Sequence, residues 1–254
     1  MLRTGKTGGW VVGLLLLQCQ AGPAPDAWIR VSGPGLELLT SGEARVAAEA
    51  VAELAGLLSN WRAVAPPGNS AELSVRIVAF SSEAEYQPFR INAFSPAYFA
   101  GGAGQDTIVL GCVTKENFPA LRHEYVHHLI GARWRHLPLW LEEGLADYYG
   151  GVDGSVAQAR ADRLRRGGLL PLSELALVVK SSAGYREREA ALQFYAQSWA
   201  LVHLLMTAPA YRAEAWVLVD RLNQGESLES AVEWAYGRGA AQLQSVCDQA
   251  LPHA

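Results

Sequence analysis

The chain has 254 residues, 50% of them hydrophobic and 18% charged, which excludes a disordered protein and is enough for a full core in one domain or two closely joined lobes. Its net charge of −4 and pI near 5.9 give no basic field for nucleic acid, and no long basic stripe compensates, so nucleic-acid binding is not expected. No stretch reaches the roughly 20 consecutive apolar residues that a membrane span requires.

At the start of the chain, Arg3 and Lys6 precede a short apolar run over residues 10–17. Cys19-Gln20-Ala21 then supplies small residues where a signal peptidase reads. Residues 1–21 are therefore expected to be an export signal, leaving residues 22–254 as a periplasmic or secreted protein. A lipid anchor at Cys19 is the alternative, although Gln18 fits a lipobox poorly. Removal after Ala21 would leave Cys112 and Cys247, which in an oxidising compartment can form one bridge between the middle of the chain and its end. The sequence does not show that they meet, and neither has a partner at metal-ligand spacing.

Residues 28–39 read as strand interrupted by Gly33-Pro34-Gly35, a hairpin signal. Val46, Ala50, Leu54, Leu57, Leu58 and Trp61 recur at helical spacing and stop before Pro66-Pro67-Gly68. Residues 74–80 are a second strand, rich in Val and Ile. Residues 101–104 form a glycine-rich loop, a candidate flap with no phosphate-loop pattern, and Thr107, Ile108, Val109 and Leu110 form a short strand.

The next segment carries the chemistry. In His123-Glu124-Tyr125-Val126-His127 the two histidines are four residues apart, so on a helix both imidazoles project from one face and can clamp a divalent metal. Glu124 lies about 100° around the axis, at the flank where a bound water needs a base. The flanks support a helix: Phe118, Leu121, Tyr125 and Leu129 form an apolar stripe on the side away from His123 and His127. His128 projects off the metal face and is read as a neighbour. A second helix is expected over residues 139–149, opened by Pro138 and closed by Gly150-Gly151. With residues 132–137 as linker it can fold back antiparallel, which brings Glu143 level with His127 as the third ligand. Asp147, four residues on, can accept the free N–H of a metal-bound imidazole. Glu142 is the competing third ligand, pointing about 100° away from Glu143.

H-E-Y-V-H-H followed by L-P-L-W-L-E-E-G-L-A-D-Y-Y resembles the gluzincin metallopeptidases, above all the peptidase-MA-like families whose second motif reads W-x-x-E-G-x-A. The resemblance implies a zincin-like fold, Zn2+ held by His123, His127 and Glu143, Glu124 as general base, and a peptide or protein substrate. The segment F-Y-A-Q-S-W-A-L-V-H at 194–203 also resembles these families, while the short gap between His127 and Glu143 departs from thermolysin-type enzymes. By resemblance, Thr107 to Leu110 stands where zincins bind an extended substrate along an edge strand; as residues alone it is equally an ordinary sheet strand. Hydrolysis through a tetrahedral intermediate needs a further donor, for which Tyr195 is the first candidate, ahead of Tyr148, Tyr149 and His203.

Beyond Gly151 the pattern is almost entirely helical. Arg160, Arg163, Arg165 and Arg166 read as a solvated helix face, residues 171–173 open a short helix, and residues 181–184 read as a surface loop. Tyr195, Trp199, Val202 and Met206 form a stripe that by default packs in a core. Helices are expected over 213–222, 229–236 and 240–251. The expected architecture is α+β, with a small mixed α/β lobe over residues 22–112, a mainly helical lobe over 113–254 and the site between them. Two other functions remain open: a catalytically silent zinc-site factor for binding or assembly at the envelope, and a zinc hydrolase of a non-peptide amide or ester.

Overall fold

The structure, a computed structural model, describes residues 28–66, 74–91, 95–101, 105–152 and 154–250. The expected export signal, Cys19, the turn at Pro67-Gly68 and the loop glycines at 102 and 104 lie outside the described residues. The fold is α+β: a five-stranded mixed sheet followed by a helical C-terminal part.

The expected hairpin forms as β1 (Ile29–Gly33) and β2 (Leu36–Thr40), antiparallel, with Gly35 in the left-handed region at φ 70°. That conformation costs glycine nothing because it has no Cβ. Helix α1 (Ala44–Val64) then returns the chain to β3 (Val75–Phe80), which pairs parallel to β2. After the single-turn α2 (Glu83–Tyr86) come β4 (Ala97–Ala100) and β5 (Asp106–Cys112). The strand order is β1-β2-β3-β5-β4, so β5 is paired on both sides, parallel to β3 and antiparallel to β4. The expectation of an edge strand at Thr107, Ile108, Val109 and Leu110 is therefore corrected in favour of the ordinary sheet strand: the edges are β1 and β4, and β4 enters the sheet after β3 but beyond β5.

One face of the sheet is buried. Leu36, Leu38, Val75, Ile77, Ala79, Ile108 and Leu110 are all at most 5% exposed, and they alternate with Glu37, Arg76 and Thr107 on the other face, as period-two strands require. Helix α1 covers this face with Ala47, Ala50, Val51, Leu54, Leu57, Leu58 and Trp61; of the residues whose spacing predicts the helix, only Val46 is partly buried rather than buried. Each such Leu or Val contributes about 1.5–3 kcal/mol when fully buried.

Helix α3 (Phe118–Gly131) packs beside α1 against β4 and β5, its apolar stripe of Phe118, Leu121, Tyr125 and Leu129 buried as expected. Helix α4 (Leu139–Gly150) runs back antiparallel along it and ends at Gly151, whose φ of 77° stops the helix. The turn between them is pinned from a distance. Asn223 Oδ1 accepts the backbone N–H groups of Arg135 and His136 at 2.9 and 3.0 Å, and Trp134 Nε1 donates to Asp220 Oδ1 at 2.6 Å.

The remaining elements are α5 (Gly154–Gly167), α6 (Leu172–Leu175), α7 (Ala183–Arg186), α8 (Arg188–Thr207), α9 (Ala215–Asn223), α10 (Leu228–Tyr236) and α11 (Ala240–Ala250). Residues 183 and 184 belong to α7 rather than to a loop. In α8 the expected core stripe is partly met: Val202 is buried, Tyr195, Trp199 and Met206 are partly buried against the core, and the fully buried side also takes in Phe194, Gln197, Ser198, Leu201 and Leu205. A single apolar cluster runs from Leu36 through Cys247, so strands and helices share one core. Cys112 and Cys247 are both free thiols. Among the described residues, no helix is long and apolar enough to cross a membrane.

Candidate metal centre

The spacing of His123 and His127 on α3 places both rings on one side of the helix, and the antiparallel return of α4 sets Glu143 opposite them. Two close approaches fix this arrangement. At the far end of α4, a Cβ on Gly150 would stand 3.1 Å from the backbone N of His123, so α4 lies almost against α3 there. Arg122 locks that end, donating to Gly150 O at 2.6 Å while pairing with Glu53 of α1 at 2.8 Å. On its other side α4 crosses α8 at Gly144, where a Cβ would meet Ser198 O at 2.5 Å and Val202 Cγ2 at 2.6 Å. The Gly after Glu143 is thus required by helix contact, and it seats the carboxylate.

Three donor atoms converge. His123 Nε2 lies 3.0 Å from His127 Nε2, and Glu143 Oε2 lies 3.2 and 3.4 Å from those two nitrogens. Donors at about 2.0–2.1 Å from a tetrahedral zinc stand about 3.3 Å apart, so the triangle has the right size. Its chemistry agrees. Glu143 is 3% exposed and its Oε2 has no hydrogen-bond partner, a cost that a cation removes. These three residues form a group that could hold a metal ion.

Each imidazole has a carboxylate at its other nitrogen, hydrogen-bonded for His123 and at ion-pair distance for His127. His123 Nδ1 lies 2.9 Å from Asp147 Oδ1, as the four-residue spacing from Glu143 predicts, and His127 Nδ1 lies 3.2 Å from Glu142 Oε1. Glu142 is therefore not a rival to Glu143. The 100° that separates them on the helix carries Glu142 to the outer side of the second histidine. Asp147 is held in turn by Arg160 of α5, 2.7 Å from Oδ2, with the guanidinium carbon 5.7 Å from the Trp199 ring centre. Arg160 thus leaves the solvated face assigned to it by sequence; Arg163 and Arg165 stay there, paired with Glu189 and Asp162.

The charges reinforce one another. Burial opposes the charging of His123, but Asp147 and Glu143 outweigh it and hold the ring well above its ordinary range. For His127 burial is likewise outweighed, by Glu142 and Glu143, and its pKa is pushed up to about 9. Burial would raise Glu143 and Asp147, yet the histidines, with Arg160 beside Asp147, hold both below the usual carboxylate range. The pocket is built for positive charge between fixed carboxylates.

Glu124 is partly buried beside the triangle. Burial raises its pKa, against the pull of His123 and His127 and, more weakly, of the Phe99 backbone on β4. That nearness follows from the sheet register. Gly111 N donates to Pro96 O at 2.8 Å, so Tyr98 and Ala100 also bond toward β5, and the backbone groups of Ala97 and Phe99 face outward.

Tyr195 does not reach the triangle directly. Its hydroxyl donates to the Tyr185 hydroxyl at 3.0 Å, and Tyr185 donates to Glu143 Oε1 at 3.1 Å. With its proton committed to Tyr185, Tyr195 has none to offer an oxyanion in this arrangement. Tyr149 turns inward against Trp61, and Tyr148 and His203 pack on each other at 5.8 Å. His128 is a buried neighbour, its Nδ1 2.7 Å from Asp106 Oδ2.

The sequence reading missed Glu142 as an orienting group, and also Arg160, Tyr185 and β4. Only β4 had a local signal, Ala-Tyr-Phe-Ala bracketed by Pro96 and Gly101. Comparison of the chain with models of known protein families, with curated proteins and with solved structures finds no match in any of the three.

Proposed function

We propose that this chain is a zinc-dependent metallopeptidase of gluzincin type with a zincin-like fold, cleaving peptide bonds in peptide or protein substrates. The observation that carries the reading is the convergence of His123 Nε2, His127 Nε2 and the unpartnered Glu143 Oε2 within 3.4 Å of one another, with Glu124 alongside. Zinc is the natural occupant of a two-imidazole, one-carboxylate set, in which three protein ligands leave an open position. A zinc ion held there would polarise a carbonyl and bring the pKa of a water toward about 7.

The protein's own groups supply the rest. Glu124, its pKa raised by burial, is suited to take a proton from the attacking water and return it to the leaving nitrogen, since a base works best with a pKa near the working pH. Asp147 accepts from His123 Nδ1 and keeps that ring's proton on the outer side, and the Glu142 carboxylate 3.2 Å from His127 Nδ1 favours the same tautomer there, so that both Nε2 lone pairs would point inward. Strand β4 pairs with β5 alone, and the carbonyl of its partly buried Phe99, which faces away from β5, would offer an extended substrate a main-chain hydrogen bond that selects little sequence. The reading of residues 1–21 as an export segment, which would place the enzyme in the periplasm or outside the cell, belongs to the same proposal.

The test is incubation of the purified protein with casein or a peptide library, with and without a chelator, beside Glu124→Gln. Cleavage lost in the variant while zinc stays bound supports the peptidase. Zinc bound by the wild type without turnover on any peptide contradicts it and favours a silent binding factor or a hydrolase of other amides or esters.

A further inference from the structure

We infer that Tyr185 is a positioning residue for the metal centre: by donating to Glu143 Oε1 it selects which carboxylate oxygen faces the two imidazoles, and Tyr195 holds it in that task. The inference rests on the reading of His123, His127 and Glu143 as ligands and adds a residue outside both motifs.

A carboxylate has two equivalent oxygens, and an unrestrained one can turn or present both to an ion. Glu143 is restrained asymmetrically. Oε1 accepts from Tyr185 at 3.1 Å, while Oε2 has no hydrogen-bond partner and lies 3.2 and 3.4 Å from the histidine nitrogens. An ionised carboxylate only accepts, so the Tyr185 proton must point at Oε1. The 3.0 Å contact between the phenols is then filled by the Tyr195 proton. Both bonds run toward the negative charge, the arrangement in which successive hydrogen bonds strengthen one another.

The two tyrosines come from elements of different stiffness. Tyr185 lies in the four-residue α7, whereas Tyr195 lies in the 20-residue α8, which also carries the Ser198 and Val202 contacts to Gly144. The Tyr185 ring packs on Phe194 and Tyr195, with both centroid distances at 5.9 Å. Helix α8 therefore fixes the backbone position of Glu143 through Gly144 and its rotation through Tyr195 and Tyr185. One oxygen is held by protein and one is free for the ion, which preserves the open position a hydrolytic site needs.

The experiment measures zinc affinity, by competition with a chromophoric chelator, for the full chain and for Tyr185→Phe, Tyr195→Phe and the double variant. Visible spectra of the cobalt(II)-loaded proteins and melting of the metal-free proteins accompany it. Tyr185→Phe is expected to bind zinc about 10-fold more weakly and to change the cobalt spectrum as Glu143 turns or chelates with both oxygens. Tyr195→Phe should lose less, and the double variant should bind no more weakly than Tyr185→Phe, because Tyr195 acts only through Tyr185. Unchanged affinity and spectrum in Tyr185→Phe overturn the inference, as does a Tyr195→Phe loss that persists in full without the Tyr185 hydroxyl. Should Tyr185→Phe fail to fold, wild-type affinity in Tyr195→Phe overturns it instead. A wild type that binds no zinc removes the ligand reading itself and the inference with it; zinc on the wild type separates the two failures.

Discussion

Replacing Gly144 by alanine probes the link between helix packing and ligand geometry. The added Cβ would stand 2.5 Å from Ser198 O and 2.6 Å from Val202 Cγ2, and the first of these is backbone that no side-chain rotation can move. Opening the contact to an ordinary 3.4 Å separates α4 from α8 by about 0.9 Å at this point. Overpacking of this kind costs about 1–3 kcal/mol, offset by up to about 1 kcal/mol from the better helix propensity of alanine. Glu143 is the preceding residue and moves with the helix, so its 3.2 and 3.4 Å spacings to the histidine nitrogens depart from the about 3.3 Å of a tetrahedral set. The metal-free variant should melt below the wild type, and its zinc affinity should fall on the order of 10-fold or more. Thermal unfolding with and without zinc, together with chelator competition, measures both. A variant as stable and as tight-binding as the wild type would refute the argument that the glycine seats the ligand.

Further expectations concern the groups around the ligands. Asp147→Asn should weaken zinc binding about 10–100-fold while the protein stays folded, because it removes the orienting charge and preserves the shape; chelator competition checks it, and an unchanged affinity would mean that the 2.9 Å contact with His123 has no orienting role. With its pKa pushed up to about 9 in the metal-free protein, His127 carries a proton below that pH which an ion must displace. Zinc affinity should therefore fall as pH is lowered from about 9, by about tenfold per unit for each proton released. The sign for the metal-free fold is the reverse: a raised histidine pKa stabilises it fully below about 6.5 and that contribution is lost as pH rises through about 9. Melting of the chelated protein between pH 6 and 10 tests this, and a flat profile contradicts it. Since Cys112 and Cys247 are free, a reductant should leave the melting temperature unchanged, whereas a clear drop would reveal a bridge.

The parts of this molecule that could be read from sequence are those with a local period. Phe118, Leu121, Tyr125 and Leu129 mark the buried side of α3, and because a helix has a fixed pitch they also say where His123 and His127 point. Glu143 and Asp147 follow by the same arithmetic once α4 is taken to fold back. Strand order has no such period: nothing in Thr107 to Leu110 reveals that a later pairing with Ala97–Ala100 covers its edge. Arg160 and Tyr185 illustrate the other gap. An arginine in a basic cluster and a tyrosine beside a serine-rich turn look like surface, and only the packing of α5 and α7 on α8 turns them toward Asp147 and Glu143. Glu142 was legible in direction but not in destination, since the ring it meets belongs to another helix.

Elemental analysis of the purified protein, with Glu143→Ala and His127→Ala beside it, asks whether residues 123, 127 and 143 hold one ion. One zinc per chain is expected in the wild type, with near-complete loss of tight binding in both variants and the fold retained by circular dichroism. A wild type that takes up no divalent metal, or a Glu143→Ala protein that keeps its full complement, would contradict it.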